Sequence, residues 1–325
     1  MRRLVDHGPD VDDGVAWAPM AKHPRVDHPP LDPPATGLHL ESADGLELYL
    51  WLREPATTPR GVIDLVLGPE IGSAEPYPRL CAEALAAGYA LAAVHPRGCG
   101  YSPGIRGDVD DYALILDDLR RGWRWLGERF VGKPRFMLGH SAGACLALAL
   151  AADLGSEPAG LVLVNPAYRL ADLEGAGPSA GDVVRYALDL LFRRSQPTVD
   201  MNRDPSRIGF EADRREAEAM QADPLVVRYF SLRFLLGQKR VMDRSRDHAA
   251  AIGCPLLLVA GAHDRLVDPA GNDELLAAAP VVDKRKLVAA DGGHGSSAVE
   301  TSVDALLAWL GSRSHMRDGR GCDGK

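Results

Sequence analysis

Short apolar runs alternate along most of this chain with longer stretches in which apolar residues recur at helical spacing. These runs predict strands over residues 61–67, 89–95, 135–139, 161–165 and 255–261, and residues 284–290, which begin with three basic residues, are predicted as the last strand. The helical patterns cover residues 77–87, 108–130, the segment after Ser141 and residues 297–310. Strands that are apolar on both faces and separated by helices predict an α/β fold, with a mostly parallel, twisted sheet and helices on both faces.

Three segments near the chain ends depart from this alternation. Residues 1–36 carry seven prolines and six aspartates without an apolar period, which predicts a loosely ordered N-terminal arm. Residues 37–53 alternate around Asp44-Gly45, a pair that is typical of a hairpin turn. Residues 312–325 are predicted to form a flexible tail.

Between Asn165 and Cys254 the alternation stops, and the sequence becomes Arg-rich with helical periodicity at residues 183–192 and 225–236. An insertion between two core strands, at the end of the sheet where ligands bind, predicts a lid over the site. The predicted domains are a core of residues 37–165 and 254–311 and a helical lid of residues 166–253.

The segment Gly139-His140-Ser141-Ala142-Gly143 carries the clearest chemical signal in the chain. An apolar run enters this Gly-x-Ser-x-Gly motif and an Ala/Leu-rich run leaves it, which predicts a strand, a sharp turn and a helix. Such a turn lifts the serine hydroxyl out of the sheet edge and points a helix N-terminus at the group that it attacks. Ser141 is therefore the candidate nucleophile.

A nucleophilic serine needs a base that accepts its proton and a group that orients the base. In this architecture an acid and then a histidine follow the serine, each beyond a late strand. Asp264 and His294 each follow one of the last two apolar runs, so we assign Asp264 as the orienting carboxylate and His294 as the general base and acid. Asp268 lies beyond the same strand and stays an alternative to Asp264. The candidate accessory residues are His140, Asp268 and Glu70.

With these residues the chain resembles the serine-hydrolase group that contains monoacylglycerol lipases and lysophospholipases, of the serine aminopeptidase S33 type, within the α/β-hydrolase fold. The motifs that carry the resemblance are the Gly-x-Ser-x-Gly turn, the glycine-rich loop at 97–107, Asp223-Pro224-Leu225, the segment 261–268 and Gly293-His294. The resemblance extends from about Gly45 to Leu310. It implies hydrolysis of carboxylic esters without a metal or an organic cofactor.

The loop after the run 61–67, the third strand when the two strands of the hairpin are counted, departs from the family pattern. That pattern is His-Gly-x, in which the N–H of x forms half of the oxyanion hole. This chain has Gly68-Pro69-Glu70, and because Pro69 lacks an N–H, the N–H groups of Glu70 and Ala142 become the expected donors. A carboxylate about 4 Å from the oxyanion would cost about 4 kcal/mol at an effective dielectric of about 20. Glu70 must therefore point away, pair with an arginine, carry a proton or serve another chemistry.

Composition and charge limit the classes of partner that the chain is expected to bind. The net charge of −8 argues against nucleic-acid binding, and no apolar run is long enough for stable insertion across a membrane. The five cysteines are odd in number and lack metal-ligand spacing, so reduced thiols of a cytoplasmic protein are predicted. The expected partner is a small-molecule acyl substrate.

The leading hypothesis is a serine hydrolase that cleaves a carboxylic ester, thioester or similar activated acyl group through an acyl-enzyme on Ser141. One alternative keeps the fold but transfers or eliminates the acyl group in a biosynthetic reaction, with Glu70 in a special role. Another alternative is a non-enzymatic binding protein that has kept the pocket. The intact set of Ser141, Asp264 and His294 favours an enzyme.

Overall fold

A computed structural model describes residues 36–69, 77–171, 196–201, 210–223 and 225–314. The strands within these ranges are β1 (Thr36–Glu41), β2 (Glu47–Arg53), β3 (Gly61–Val66), β4 (Tyr89–Val94), β5 (Arg135–His140), β6 (Gly160–Val164), β7 (Pro197–Asp200), β8 (Tyr229–Ser231), β9 (Leu256–Gly261) and β10 (Lys284–Ala289). The helices within them are α1 (Pro78–Ala86), α2 (Ala113–Arg129), α3 (Ala142–Leu154), α4 (Glu211–Ala222), α5 (Leu232–Asp243), α6 (Ser245–Ala251), α7 (Pro269–Ala278), α8 (Ser297–Glu300) and α9 (Val303–Ser314).

Eight of these strands form one sheet in the spatial order β1-β2-β4-β3-β5-β6-β9-β10. The strand β2 pairs antiparallel with both β1 and β4. The remaining neighbours in this sheet pair in parallel. The predicted mostly parallel sheet is confirmed, and so is the hairpin, in which Gly45 takes the positive φ of 86° that the turn requires.

Two apolar layers cover the two faces of the sheet. One contains Trp123 of α2 and Leu148 of α3, and the other contains Phe136 of β5 and Trp309 of α9. Residues 142–151 of α3 are all apolar and all buried. A helix that is apolar on every side is stable only where it is covered on every side, so α3 lies deep in the core.

The structure differs from the sequence-based expectation in the helices near the C-terminus. It contains α7, which the periodicity did not predict, and the side chain of Asp268 begins this helix by accepting the Ala270 N–H at 2.9 Å. The single helix that was expected over residues 297–310 is instead α8 and α9. At this break the Thr301 hydroxyl donates to the carbonyl of Ser297 at 2.7 Å, a local bond that competes with regular helix continuation.

The predicted tail is wrong at its start, because α9 continues to Ser314. The buried Ser314 hydroxyl lies 2.8 Å from the hydroxyl of Tyr89 on β4, and Arg313 pairs with Asp283. These contacts fix the last turn of α9 on the sheet. Residues 315–325 lie outside the described residues, and so do residues 1–35 of the predicted arm, since Thr36 already belongs to β1.

The insertion between β6 and β9 is partly described, and its periodic segment at 183–192 lies outside the described residues. The strands β7 and β8 pair antiparallel. The other periodic segment, 225–236, is not one helix as expected, because β8 occupies part of it and α5 begins only after Ser231. The Ser231 hydroxyl accepts the Phe234 N–H at 3.1 Å, which marks that residue as the N-cap of α5.

The last part of the predicted lid packs on the core. Phe234 of α5 is fully buried, and its ring lies edge-to-face with Tyr112 at a centroid distance of 5.2 Å. The helix α6 packs against α3 and α7 and buries Ser245 and Ala249. The segment that was predicted as lid therefore contributes its final two helices to the layer that covers the sheet.

Arg97 anchors the glycine-rich loop that follows β4. Its buried guanidinium donates to both carboxylate oxygens of Asp118 in α2, at 2.7 and 2.8 Å. It also donates to both oxygens of Asp44 in the hairpin turn, at 2.8 and 3.1 Å. Two bidentate charge-assisted contacts hold the loop, the hairpin and α2 together, which indicates a structural role for Arg97.

Asp64 is a buried carboxyl in β3, in the middle of the sheet. Its register partners are Ala92 on β4 and Met137 on β5. Burial raises the pKa of Asp64 from 3.8 to about 7, although the charge of Arg135 opposes part of this shift. Between these two pH values the unfolded chain has released this proton and the folded protein still holds it. Stability therefore falls as the pH rises from about 4 to about 7, by up to about 4 kcal/mol.

We expect the Asp64→Asn substitution to remove this dependence, because an amide does not ionise. The free energy of unfolding of both proteins is measured in urea near pH 5 and near pH 8. The stability of the variant relative to the wild type should be greater at the higher pH by about 2–3 kcal/mol. An equal difference at the two pH values would mean that Asp64 is already charged in the folded protein near pH 5.

Candidate active site

Ser141 lies in a strained turn between β5 and α3. Its φ of 54° and ψ of −121° are unusual for a residue with a side chain. The two glycines of the motif make this turn possible. A Cβ at Gly139 would lie 2.5 Å from the carbonyl oxygen of Gly143, and a Cβ at Gly143 would lie 2.9 Å from the nitrogen of Gly68. The sequence motif thus reflects close approach of backbones around the serine.

Ser141, His294 and Asp264 form one hydrogen-bonded relay at the carboxyl ends of the strands. The Ser141 Oγ lies 2.9 Å from His294 Nε2, and His294 Nδ1 lies 2.9 Å from Asp264 Oδ2. Because a carboxylate can only accept, Nδ1 carries the proton and Nε2 is free to accept the proton of the serine. This arrangement can generate a nucleophilic alkoxide.

The carboxylate of Asp264 is fixed as well as buried. Its Oδ1 accepts the backbone N–H groups of Leu266 at 2.8 Å and Val267 at 3.0 Å. Burial by itself would raise the pKa of Asp264, but the hydrogen bond from His294 and these two N–H groups hold the pKa below its ordinary value. Asp264 is therefore ionised at neutral pH, as a group that stabilises an imidazolium must be.

Asp268, the alternative acid, makes structural contacts away from His294. Its Oδ1 caps α7, and its Oδ2 lies 3.0 Å from the Nη2 of Arg169. The structure thus brings Asp264, and not Asp268, into contact with His294.

His140, the candidate accessory residue, contacts the backbone of His294. Its Nε2 donates to the His294 carbonyl oxygen at 2.6 Å, and the two imidazole rings lie 5.6 Å apart. Burial, together with the nearby charge of His294, lowers the pKa of His140 to about 4. The ring is therefore neutral at neutral pH and supports the backbone of the candidate base.

Asn165 contacts the His294 loop but was not predicted from the sequence. It follows β6, is fully buried and has a φ of 44°. Its Nδ2 donates to the carbonyl oxygens of Gly293 at 2.8 Å and His294 at 3.2 Å, and its Oδ1 accepts the Gly261 N–H at 2.8 Å. The side chain joins the end of β6 to the end of β9 and to the loop that follows β10. Its signal in the sequence is a polar residue directly after a buried strand, similar to the placement of Asp264 shortly beyond β9.

Comparisons with known proteins decide the family. A family model described as serine aminopeptidase S33 matches residues 58–298. The chain belongs to the serine aminopeptidase S33 family. Human monoglyceride lipase is 27% identical over 248 residues, which cover 76% of this chain and 79% of that protein. The monoacylglycerol lipase of Mycolicibacterium smegmatis is 30% identical over 233 residues, which cover 70% of this chain and 79% of that protein.

Solved structures agree with this S33 membership. The crystal structure of Paleococcus ferrophilus monoacylglycerol lipase matches with a TM-score of 0.65 and 25% identity, and the match covers 81% of this chain and 99% of that one. The chain is therefore an α/β-hydrolase, a serine hydrolase that acts on carboxylic ester substrates. The alternatives of acyl transfer and acyl elimination are not favoured.

Of the two N–H donors expected for the oxyanion hole of this S33 hydrolase, the structure describes one. Ala142 is the first residue of α3, so its N–H has no acceptor within the helix and is available to a ligand. The close approach of Gly143 to Gly68 places the loop after β3 beside the Ser141 turn. Glu70, the other expected donor, lies outside the described residues, and its role stays a prediction.

The helices and the cysteines of the S33 chain bear on its predicted compartment. Within the described ranges, every helix falls short of the length or apolar character that crossing a bilayer requires. The four cysteines that the structure describes are buried and form no disulfide, and Cys322 lies outside these ranges. The cytoplasmic compartment stays a prediction.

Proposed function

We propose that this S33 hydrolase cleaves monoacylglycerols, esters of one fatty acyl chain with glycerol, and that Ser141, His294 and Asp264 carry out the reaction. The relay of two 2.9 Å hydrogen bonds is the observation that carries the assignment of these residues. The substrate class is supported by the human and mycobacterial relatives, which are named for monoacylglycerol hydrolysis.

The first half-reaction forms an acyl-enzyme. Ser141 Oγ attacks the ester carbonyl carbon while its proton passes to His294 Nε2, and the resulting imidazolium is stabilised by Asp264. The oxyanion accepts hydrogen bonds from the N–H groups of Ala142 and Glu70. When the tetrahedral intermediate collapses, the bond to the alcohol oxygen breaks. The leaving glycerol takes the proton from Nε2.

The second half-reaction regenerates the enzyme. A water molecule gives one proton to His294 Nε2 as its oxygen attacks the acyl carbon. The ester bond to Ser141 then breaks, and the serine oxygen recovers that proton. The products are glycerol and a fatty acid, so the proton balance over the cycle is closed without a cofactor.

A fluorophosphonate ester tests the assignment of the nucleophile. This probe phosphorylates an activated serine, and we expect one adduct on the intact protein, located by peptide mass spectrometry at Ser141. Pre-incubation with a monoacylglycerol should slow the labelling. An adduct elsewhere, or none on the folded protein, would contradict the assignment.

A substrate panel tests the class. It compares 1-monoacylglycerols of several chain lengths with the corresponding di- and triacylglycerols and with p-nitrophenyl acetate. We expect kcat/KM for the best monoacylglycerol to exceed that of its diacylglycerol by at least about tenfold, a difference of about 1.4 kcal/mol in transition-state binding. A higher kcat/KM for p-nitrophenyl acetate than for every monoacylglycerol would contradict the monoacylglycerol assignment. The protein would then be a short-chain esterase.

A further inference from the structure

The insertion helix α4 contacts the loop that carries His294. Asp213, in the first turn of α4, accepts the His294 N–H at its Oδ2 at 2.6 Å and the Gly295 N–H at its Oδ1 at 3.0 Å. Glu216, one turn later, accepts both the N–H of Ser296 at 2.6 Å and its hydroxyl at 2.9 Å. Three successive backbone N–H groups of the loop therefore donate to carboxylates of a single helix face.

The loop is shaped to receive these carboxylates. A Cβ at Gly293 would overlap with the carboxylate of Asp213, and a Cβ at Gly295 would overlap with that of Glu216. Successive N–H groups that converge on an anion form a strong anion-binding site, and hydrogen bonds to charged acceptors are stronger than those to neutral ones. The glycines beside His294 thus allow α4 to approach the loop at hydrogen-bonding distance.

The start of α4 also contacts the loop of the candidate acid. Phe210, directly before the helix, stacks on His263 with a centroid distance of 4.9 Å and an interplanar angle of 13°. Because His263 precedes Asp264, residues 210–216 contact the two loops that supply the base and its orienting carboxylate. The backbone of His294 is consequently held from two sides, by His140 and Asn165 at its carbonyl oxygen and by Asp213 at its N–H.

We propose that Asp213 and Glu216 are positioning residues for ester hydrolysis: they hold the backbone of the His294 loop from α4, and the relay is complete only while α4 is docked on that loop. This proposal rests on the proposed function, since it takes His294 as the base. A displacement of about 1 Å in a catalytic group can cost about a hundredfold in rate. Loss of these contacts from α4 would therefore shift the base relative to the serine and slow the reaction.

The decisive variant is Asp213→Ala, compared with Glu218→Ala on the same helix. Glu218 contacts Arg214 within α4, 2.7 Å from its Nη1, so its removal also deletes one carboxylate from the helix. With p-nitrophenyl butyrate as substrate, we expect Asp213→Ala to lower kcat by about 10- to 100-fold and to change KM by less than about threefold. Glu218→Ala should stay within twofold of the wild type in both constants.

The conservative variant Asp213→Asn separates positioning from folding. The two N–H groups donate to different oxygens of Asp213, and asparagine replaces one of these oxygens with an NH2 group that cannot accept, so kcat should lie between those of the wild type and Asp213→Ala. If Asp213→Ala fails to fold, a threefold or larger loss of kcat in Asp213→Asn at unchanged KM supports the proposal. A kcat within twofold of the wild type in Asp213→Asn then overturns it.

A spectroscopic measurement tests the proposal independently of turnover. The Nδ1 proton of His294, hydrogen-bonded to Asp264, should give a low-field ¹H resonance that is missing from the His294→Gln variant. We expect this resonance to broaden in Asp213→Ala but not in Glu218→Ala, and amides 294 and 295 to exchange faster with solvent. If the wild type does not react with a fluorophosphonate, the proposed function fails, and this resonance still decides whether Asp213 positions the ring.

Two results would overturn the proposal. One is an Asp213→Ala enzyme with a kcat within twofold of the wild type and an unchanged low-field resonance. The other is a loss that resides entirely in KM, which would mean that α4 contributes to substrate binding and not to the position of His294.

Discussion

Replacing Ser141 with alanine is expected to lower kcat for ester hydrolysis by about 10⁴- to 10⁶-fold, the largest effect of any single substitution in this chain. The variant lacks the oxygen that forms the acyl-enzyme, while the N–H of Ala142 and the backbone of the turn remain. A small residual rate should therefore persist, because oxyanion stabilisation and binding still operate on direct attack by water. The measurement is kcat with a monoacylglycerol, together with the loss of fluorophosphonate labelling.

A double variant makes this prediction sharper. Since Ser141 and His294 act as one unit, Ser141→Ala with His294→Ala should be no slower than Ser141→Ala alone by more than a few-fold. Full additivity of the two losses would mean that His294 does not act through Ser141. Thermal unfolding of each variant serves as the control for folding.

The second-largest expected effect is a loss of about 10⁴-fold in kcat for Asp264→Asn. The Asp264 carboxylate accepts the proton of His294 Nδ1 at 2.9 Å and so holds Nε2 ready to accept from Ser141. An amide group at this position can donate to Nδ1, which would place the imidazole proton on Nε2 and block proton transfer from the serine. Steady-state kinetics at neutral pH measure this loss.

Asp268→Asn is the matched control for Asp264→Asn. Both substitutions exchange a carboxylate for an amide beyond β9, but Asp268 caps α7 and pairs with Arg169. Since asparagine is also a good N-cap, we expect kcat within about twofold of the wild type and a stability loss below about 1 kcal/mol. Comparable losses of kcat in the two variants would contradict the assignment of Asp264.

The elements that the sequence predicted well are those whose signals are local. The run into β5, the Gly-x-Ser-x-Gly turn and the apolar α3 are contiguous, so periodicity and glycine placement are sufficient to predict them. Parallel strands end at the same edge of the sheet, and this rule places residues that follow late strands near one another. Ser141, Asp264 and His294 could therefore be nominated together without coordinates.

Prediction from local sequence patterns was wrong where contacts with a distant segment set the conformation. The segment 225–236 has helical periodicity, but β8 forms there because β7 supplies a pairing partner. The last turn of α9 is ordered through the contact of Ser314 with Tyr89, which lies far away in the sequence. Intrinsic preference is a weak signal when packing from a distant segment is available.

The amino-acid sequence by itself determined the α/β class, and it nominated Ser141 and the order in which its candidate partners follow, because each depends on short-range pattern and on chain order. The sequence favoured Asp264 and left Asp268 as an alternative beyond the same strand, and the tertiary structure shows that Asp264 contacts His294 while Asp268 pairs with Arg169. It also decided that Asn165, Asp213 and Glu216 hold the loop that carries His294. Their hydrogen bonds join segments separated by about 80 to 130 residues, and no local pattern records such a contact.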